Sequence, residues 1–132
     1  MSPEDLAAVV DSWAELQLRR EALADRLAAS YGAVLSPHTA DQRARWLVNA
    51  VAELVGLLTA PSQLAARARE VAETLPQPSS TPTFVLDGNA WMIAAREVSA
   101  SWSNCLEHAW RQAWLLLSEV LAIESLSPFA GA

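Results

Sequence analysis

The residue types that most often carry catalysis are scarce in this chain, and their spacing does not bring them together. The 132 residues include two histidines, His38 and His108, and a single cysteine, Cys105. Cys105 and His108 are three positions apart on one predicted helix, but the apolar pattern assigns them to different faces, which argues against a catalytic pair. The sequence contains no metal-ligand spacing, carboxylate pair, glycine-rich phosphate loop or nucleophile–histidine motif. Chemistry of those kinds is therefore not predicted.

Composition narrows the classes of chemistry and partner further. All nine basic residues are arginines, which excludes a lysine Schiff base or a lysine general base. The formal net charge is −6 and 52% of the residues are hydrophobic, so we predict one compact domain over residues 1–132. No nucleic-acid partner is expected, because phosphate binding needs a basic patch. With neither a leader pattern nor an apolar run of about 20 residues, we expect a cytoplasmic protein without a membrane segment.

The elements that would position these residues are all predicted to be helices. Apolar residues recur at helical spacing, and no stretch alternates with period two for long enough to predict a strand. Serine, threonine and proline mark the breaks between helices. The expected helices are two over residues 3–35 with a bend at 17–20, a third from a capping Thr39 to about residue 58, and three over 62–75, 81–102 and 103–124. The predicted fold is therefore all-α, with six helices, of which the last two are long and antiparallel.

Four stretches, in their order and spacing, resemble the bacterial globins. TPTFVLDGNAWM at residues 81–92 and EHAWRQAWLLL at 107–117 are similar to the last two helices of that family. DQRARWLVNAV at 41–51 looks like its distal helix, and LADRL at 23–27 looks like part of its second helix. The resemblance is to the single-domain globins and to the globin module of flavohaemoglobins, and it covers about residues 4–122. It implies a globin-like bundle of bacterial origin.

The residues that hold haem and its oxygen in that family are not matched here. The position of the proximal histidine, at the end of the fourth helix, is Leu75, and a leucine side chain has no lone pair to offer iron. The second-helix tyrosine that contacts oxygen corresponds to Ala24, and the fifth-helix tyrosine corresponds to Val85. The resemblance therefore implies a globin-like protein that has lost haem, and we expect no cofactor.

A lost haem leaves a volume that must be filled or occupied. An empty cavity of several hundred Å³ would cost on the order of 10 kcal/mol, which rivals the roughly 5–15 kcal/mol stability of a whole domain. Six tryptophans are available to fill the space, Trp46 and Trp91 above all. Both a solid tryptophan core and a reshaped apolar pocket remain open, and we favour the pocket.

The remaining distal polar side chain would be Gln42, or Arg43 if the alignment shifts by one residue, and Trp46 or Leu47 would follow one turn later. The predicted ligand-binding residues are Ala24, Gln42, Arg43, Trp46, Leu47, Leu75, Val85, Trp91 and Met92. With few polar anchors among them, such a pocket suits an apolar or aromatic small molecule.

Three functions follow as hypotheses. The first is a haem-free binding module that acts as a sensor, carrier or accessory protein. The second is a small cofactor-independent enzyme of a biosynthetic pathway, in which His38, Gln42 or Asp87 would act on the bound molecule. The third is a haem globin for oxygen or nitric oxide with an unusual axial ligand, for which His38, His108, Met92 or Cys105 would supply the donor atom.

The last two helices carry two further expectations. Gly88, in the sequence Asp87-Gly88-Asn89, has a structural explanation as a site of close helix packing. Exposed tryptophan or leucine side chains on these helices would favour a homodimer, since a partner would cover them.

Overall fold

The computed structural model describes residues 1–76 and 81–125, apart from the side chains of Thr81 and Pro82, and everything it describes is helix, turn or loop. Two short 3₁₀ turns, Gln17–Arg19 and Val55–Leu57, follow the first and third α-helices. The helices are α1 (Pro3–Leu16), α2 (Arg20–Tyr31), α3 (Pro37–Leu54), α4 (Pro61–Glu73), α5 (Thr81–Val98) and α6 (Asn104–Ser125). Because α1 continues into α2 through the first 3₁₀ turn, the described chain forms five separate helical segments. The all-α prediction is confirmed, and the globin-like arrangement stays a prediction.

Serine side chains cap three of the helices. Ser2 accepts a hydrogen bond from the backbone N–H of Asp5 at 3.1 Å, and Ser103 accepts one from the backbone N–H of Leu106 at 3.1 Å. The expectation that Thr39 caps α3 was wrong by three residues. Ser36 is the cap, and Pro37 fits the first helical position because the missing N–H would have no partner there.

The predicted end of the fifth helix at residue 102 was also wrong, because α5 ends at Val98. Side chains of the α1 segment hold the chain at this point. The guanidinium of Arg19 donates to the carbonyl of Val98 at 2.9 Å, and the carboxylate of Glu15 accepts from the backbone N–H of Ala100 at 2.7 Å. These long-range bonds replace the next intrahelical bonds, so the helix stops four residues early.

The pairing of α5 with α6 is antiparallel, as the sequence predicted. The indole N–H of Trp114 donates to the carbonyl of Phe84 at 2.8 Å, and the rings of Trp91 and Trp110 lie 5.2 Å apart. Residue numbers therefore fall along α6 as they rise along α5. No helix of the described part of the chain is both long and apolar enough to span a bilayer.

Tryptophan side chains fill the space between α1, α5 and α6. Trp91 is completely buried, and its ring lies between those of Trp13 and Trp110. The indole N–H of Trp110 donates to Ser12 at 3.0 Å, which satisfies that polar group inside the core. Each such ring buries roughly 150–250 Å². Trp91 therefore fills interior volume, and this part of the molecule is a solid core.

Gly88 lies where α5 approaches α6 most closely. A Cβ atom added at Gly88 would stand 2.3 Å from Cδ1 and 2.5 Å from Nε1 of Trp114. The indole is itself fixed by its bond to Phe84, so it cannot move aside without breaking that bond. The structural explanation of this glycine is therefore confirmed.

We expect Gly88→Ala to lower the free energy of unfolding by about 1–3 kcal/mol, because the added methyl group would push α5 away from α6. Urea denaturation followed by circular dichroism measures the change. The matched control is Gly56→Ala, since a Cβ there meets nothing within 4 Å. That variant should be unchanged or slightly more stable. Equal stability of the two variants would contradict the close packing.

Candidate functional site

An opening lies between α3 and α4, and we call it the α3–α4 cleft. Its volume is about 610 Å³, within the range of small-molecule sites. The two helices run antiparallel along it, because Trp46 of α3 contacts Thr74 at the end of α4 while Glu53, later in α3, contacts Arg67 in the middle of α4. The lining residues are Gln42, Arg45, Trp46, Asn49, Ala50, Glu53, Arg67, Glu70, Val71, Thr74 and Pro76.

One end of the cleft is closed by a hydrogen-bonded link between the helices. The indole N–H of Trp46 donates to the carbonyl of Val71 at 3.3 Å and to the hydroxyl of Thr74 at 3.2 Å. The Thr74 hydroxyl donates in turn to the Val71 carbonyl at 2.7 Å. Trp46 is almost fully buried and its bond to Val71 is shielded, while Thr74 is at the surface; together these bonds hold the end of α4 against α3.

The other end of the cleft is closed by exposed charges. Nη1 of Arg67 lies 3.4 Å from a carboxylate oxygen of Glu53 and 3.0 Å from one of Glu70. These three side chains are 48–66% exposed. Exposed ion pairs contribute only about 0–1 kcal/mol, because water screens them. This end can therefore open at little cost.

Between the two ends the lining combines apolar side chains of α3 and α4 with the amide of Asn49. Trp46 and Glu53 are seven residues apart on α3, which corresponds to about 10 Å along the helix axis. Ala50 and Val71 line the space between them from opposite helices. Ala50 is the smallest of the lining side chains, and we call the stretch of the cleft beside it the trough.

Arg45, at the Trp46 end of the rim, stands among acidic groups. Its Nε donates to the carboxylate of Asp41 at 3.2 Å. That hydrogen bond raises the pKa of the Arg45 guanidinium, and the negative charges of Asp41, Glu21 and Asp25 raise it further. The positive charge of Arg45 is therefore already compensated by the protein.

Behind the cleft lies a buried polar cluster of three residues, which we call the Arg43 cluster. Arg43 of α3 donates through Nε at 3.1 Å and through Nη2 at 2.5 Å to the two carboxylate oxygens of Asp87 on α5. The hydroxyl of Tyr31 on α2 donates to the same carboxylate. All three side chains are at most 5% exposed. The cluster joins α2, α3 and α5 across the core.

The Arg43 cluster also supports the wall of the cleft. The Arg43 guanidinium lies over the Trp46 ring at 4.6 Å and near the Phe84 ring at 5.9 Å. A cation over an indole face is attracted by the negative charge of the ring face. Trp46 is thus fixed by its bonds to α4 and by a buried charge on α3.

The structure brings together some of the predicted site residues. Gln42 and Trp46 line the α3–α4 cleft, while Arg43 and Asp87 form the buried pair behind it. The bidentate pairing occupies both carboxylate oxygens of Asp87, and this residue does not line the cleft. Asp87 is therefore built into the core and is poorly placed to act on a bound molecule.

The other predicted residues lie apart from that cleft. Val85 and Met92 line a smaller opening of about 270 Å³ between α5 and α6, and Ala24 lines one of about 130 Å³ between α2 and α3. Leu47 and Trp91 are fully buried in the core. Leu75 is half-buried and packs against the core, and His38 is exposed in the first turn of α3.

Arg67, Glu53 and Glu70 are site residues that the sequence analysis missed. Charged residues spaced three or four apart on a helix usually form a solvated face, so the pattern gave no reason to select them. One signal was present: Trp46, Ala50 and Glu53 follow helical spacing on one face of α3. Only the packing of α4 against that face turns the pattern into a cleft.

The donor atoms of this chain do not fit haem iron in the α3–α4 cleft. His38 and His108 are exposed, and neither lines it. Leu75 offers no donor, Met92 lies in the α5–α6 opening, and Cys105 is exposed on α6. Across residues 1–76 and 81–125, no group of three or more histidine, cysteine, aspartate or glutamate side chains could hold a metal ion.

The exposed apolar side chains of α5 and α6 are aliphatic, whereas the tryptophans of these helices are buried. On α5 they are Val85, Leu86 and Ile93, and on α6 they are Leu115 and Ile123, each at least 50% exposed. Of the two residue types expected to be exposed on these helices, leucine is exposed, at Leu86 and Leu115, whereas Trp91, Trp110 and Trp114 pack inward. The expected homodimer stays a prediction that rests on the aliphatic residues alone.

We expect Arg43→Met to lower the free energy of unfolding by about 3–5 kcal/mol, since Asp87 would stay buried without its cation. The double variant Arg43→Met/Asp87→Leu should recover much of the loss, because it removes both charges. Arg45→Met is the matched control, with an exposed guanidinium two residues away, and should leave the urea midpoint almost unchanged. A double variant less stable than Arg43→Met would contradict this role of the pair.

Tyr31 is the only tyrosine of the chain, so its ionisation can be followed by ultraviolet absorbance. Burial raises the pKa of Tyr31 above the ordinary value of 10.0, the charge of Asp87 and the hydrogen bond to it add to the rise, and Arg43 opposes it. The unfolded chain loses this proton above pH 10.0 while the folded protein keeps it, so stability should fall as the pH rises further. Tyr31→Phe should reduce that dependence. A tyrosinate signal near the ordinary pKa with the helical signal intact would contradict the cluster.

Comparison with known proteins adds no family to this description. No family model matches the sequence, and no curated protein matches it. The resemblance to bacterial globins therefore rests on the residue patterns alone, and the function is argued from the geometry of the α3–α4 cleft.

Proposed function

We propose that this chain is a globin-like binding module that works without haem and holds an apolar or aromatic small molecule in the α3–α4 cleft. The observation that carries the proposal is a cleft of about 610 Å³ with a fixed tryptophan at one end and a small alanine in its middle. Small-molecule sites are typically concave and largely apolar, with a few polar groups that orient the ligand. The role would be that of a sensor, a carrier or an accessory protein.

The resemblance to globins is a second support for placing the ligand in this cleft. α3 contains the stretch that looks like the distal helix, and α4 leads to the position of the proximal histidine, which is Leu75. In the globin family haem lies between those two helices. A molecule in the α3–α4 cleft would thus occupy the side of the bundle that haem uses in the family, held by packing and not by coordination.

The alternatives draw less support from the structure. A haem globin would need an axial donor in the cleft, and the donor atoms lie elsewhere. An enzyme would need an acid or base held against the ligand in a site shielded from water, but His38 is outside the cleft and Asp87 is bonded within the core. The Glu53 and Glu70 carboxylates do line the cleft, but they are exposed and ion-paired with Arg67. Gln42 does line the cleft, and an amide can orient a ligand but does not take up a proton at neutral pH.

Indole is a suitable neutral probe for this function, and nitrogen–proton NMR gives a site-specific measurement. Indole should shift the indole N–H signal of Trp46, identified by its loss in Trp46→Phe, and should leave that of Trp110 in place, because Trp110 is bonded to Ser12 in the core. Haemin should produce no coordinated haem spectrum. A coordinated spectrum with haemin, or no response to indole at saturating concentration, would contradict the proposal.

A variant that fills the cleft tests whether indole binds there. Ala50→Phe places a ring in the trough and should weaken indole binding by at least about tenfold, by steric exclusion. Ala66→Phe is the matched control, because Ala66 is exposed on α4 and does not line the cleft. Circular dichroism checks that both variants keep their helices. Equal affinities of the two variants for indole would place the site elsewhere.

A further inference from the structure

Resting on the proposed function, we propose that the molecule bound in the α3–α4 cleft is an aromatic amine. Its ring would lie along Ala50, between the closed end formed by the Trp46–Val71 hydrogen bond and the charged end, and its ammonium group would lie against Glu53 and Glu70. The apolar trough alone would accept many rings. The arrangement of charges on the rim selects among them.

The first argument is the charge balance at the exposed end of the cleft. Two carboxylates, those of Glu53 and Glu70, lie within 3.4 Å of a single nitrogen of Arg67. The one positive charge cannot neutralise two negative charges, so this end keeps about one negative charge at neutral pH. The second oxygen of each carboxylate has no bond to the protein among the described groups, and both remain free to accept a hydrogen bond from a ligand.

The second argument is that the remaining cation of the rim does not reverse this balance. Arg45 is eight residues from Glu53 on α3, about 12 Å along the axis. It is bonded to Asp41, and the charges of Glu21 and Asp25 also act on it. A carboxylate on the ligand would therefore meet a cation already surrounded by acids, while an ammonium group would meet uncompensated carboxylates.

The third argument is distance. Ala50, in the middle of the trough, is three residues from Glu53, about 4–5 Å along the helix axis. A ring beside Ala50 can therefore place an ammonium group at the carboxylates through a linker of two or three atoms. Tryptamine has this form. Indole carries the same ring without a charge, and indole-3-acetate carries it with a negative charge.

The test compares the affinities of tryptamine, indole and indole-3-acetate by NMR titration of the Trp46 indole N–H. Tryptamine should bind about two- to fivefold more tightly than indole, the advantage expected of an exposed ion pair, and indole-3-acetate should bind least tightly. The preference for tryptamine should vanish at about 1 M salt, where the screening length is about 3 Å. Binding of the indole ring itself should persist at that salt concentration.

Two double variants test which carboxylates produce the preference for tryptamine. Glu53→Gln/Glu70→Gln should abolish the preference for tryptamine over indole while indole still binds. Glu73→Gln/Glu119→Gln removes the same two charges from exposed positions outside the cleft lining and should keep the preference. Thermal unfolding of both variants checks the fold.

The outcomes separate the two proposals. Binding of indole with no preference for tryptamine, or with an equal loss of preference in both paired variants, would overturn the aromatic-amine inference and leave the binding function standing. If none of the three probes shifts the Trp46 signal, the proposed function itself is wrong. A preference for tryptamine that only the Glu53/Glu70 variant loses supports both.

Discussion

The buried pair of Arg43 and Asp87 constrains the rest of this structure. Burying two charges costs several kcal/mol each, and only close, complete pairing offsets that cost. α3 and α5 must therefore keep the separation and rotation at which the guanidinium meets both carboxylate oxygens, and the Tyr31 hydroxyl ties α2 to the same point. Apolar packing tolerates small shifts of a helix more readily than this pairing does. The pair thus fixes where one wall of the cleft stands.

The cleft exists because α3 and α4 pack against different helices. α3 packs mainly against α2, whereas α4 packs mainly against α6, where Arg69 also approaches Glu124. The two helices consequently belong to different parts of the bundle and meet each other through few contacts. The Trp46 link and the exposed Arg67 ion pairs join them at the two ends of the cleft. A gap between two independently anchored helices can persist in the folded protein without a ligand to hold it open.

The helices could be predicted from the sequence, but only part of the site could. The physical reasons differ between the two. Local signals such as the Ser2 and Ser103 caps act within one turn, so the sequence reveals them. The early end of α5 depends on Glu15 and Arg19, about 80 residues away, which no local pattern encodes. Trp46 was selected because the resemblance to globins places it one turn after the distal polar residue, where a large ring would fill the volume of a lost haem. The pairing of Arg43 with Asp87 was missed, although a charged residue at a helical core position signals that a buried partner exists.

The proposed loss of haem connects these observations. If the chain descends from a haem-binding scaffold, loss of the group must be compensated, because a large empty cavity would cost most of the stability of a domain. Trp91 and its two neighbouring indoles supply bulk on the α1 side, and the Arg43 cluster supplies satisfied polar contacts in the centre. Compensation of this kind closes the interior but need not close the margin between α3 and α4, where water can enter freely. A binding site left at such a margin would be shallower and more polar at its rim than a haem crevice, and would select its ligand by charge as well as by shape.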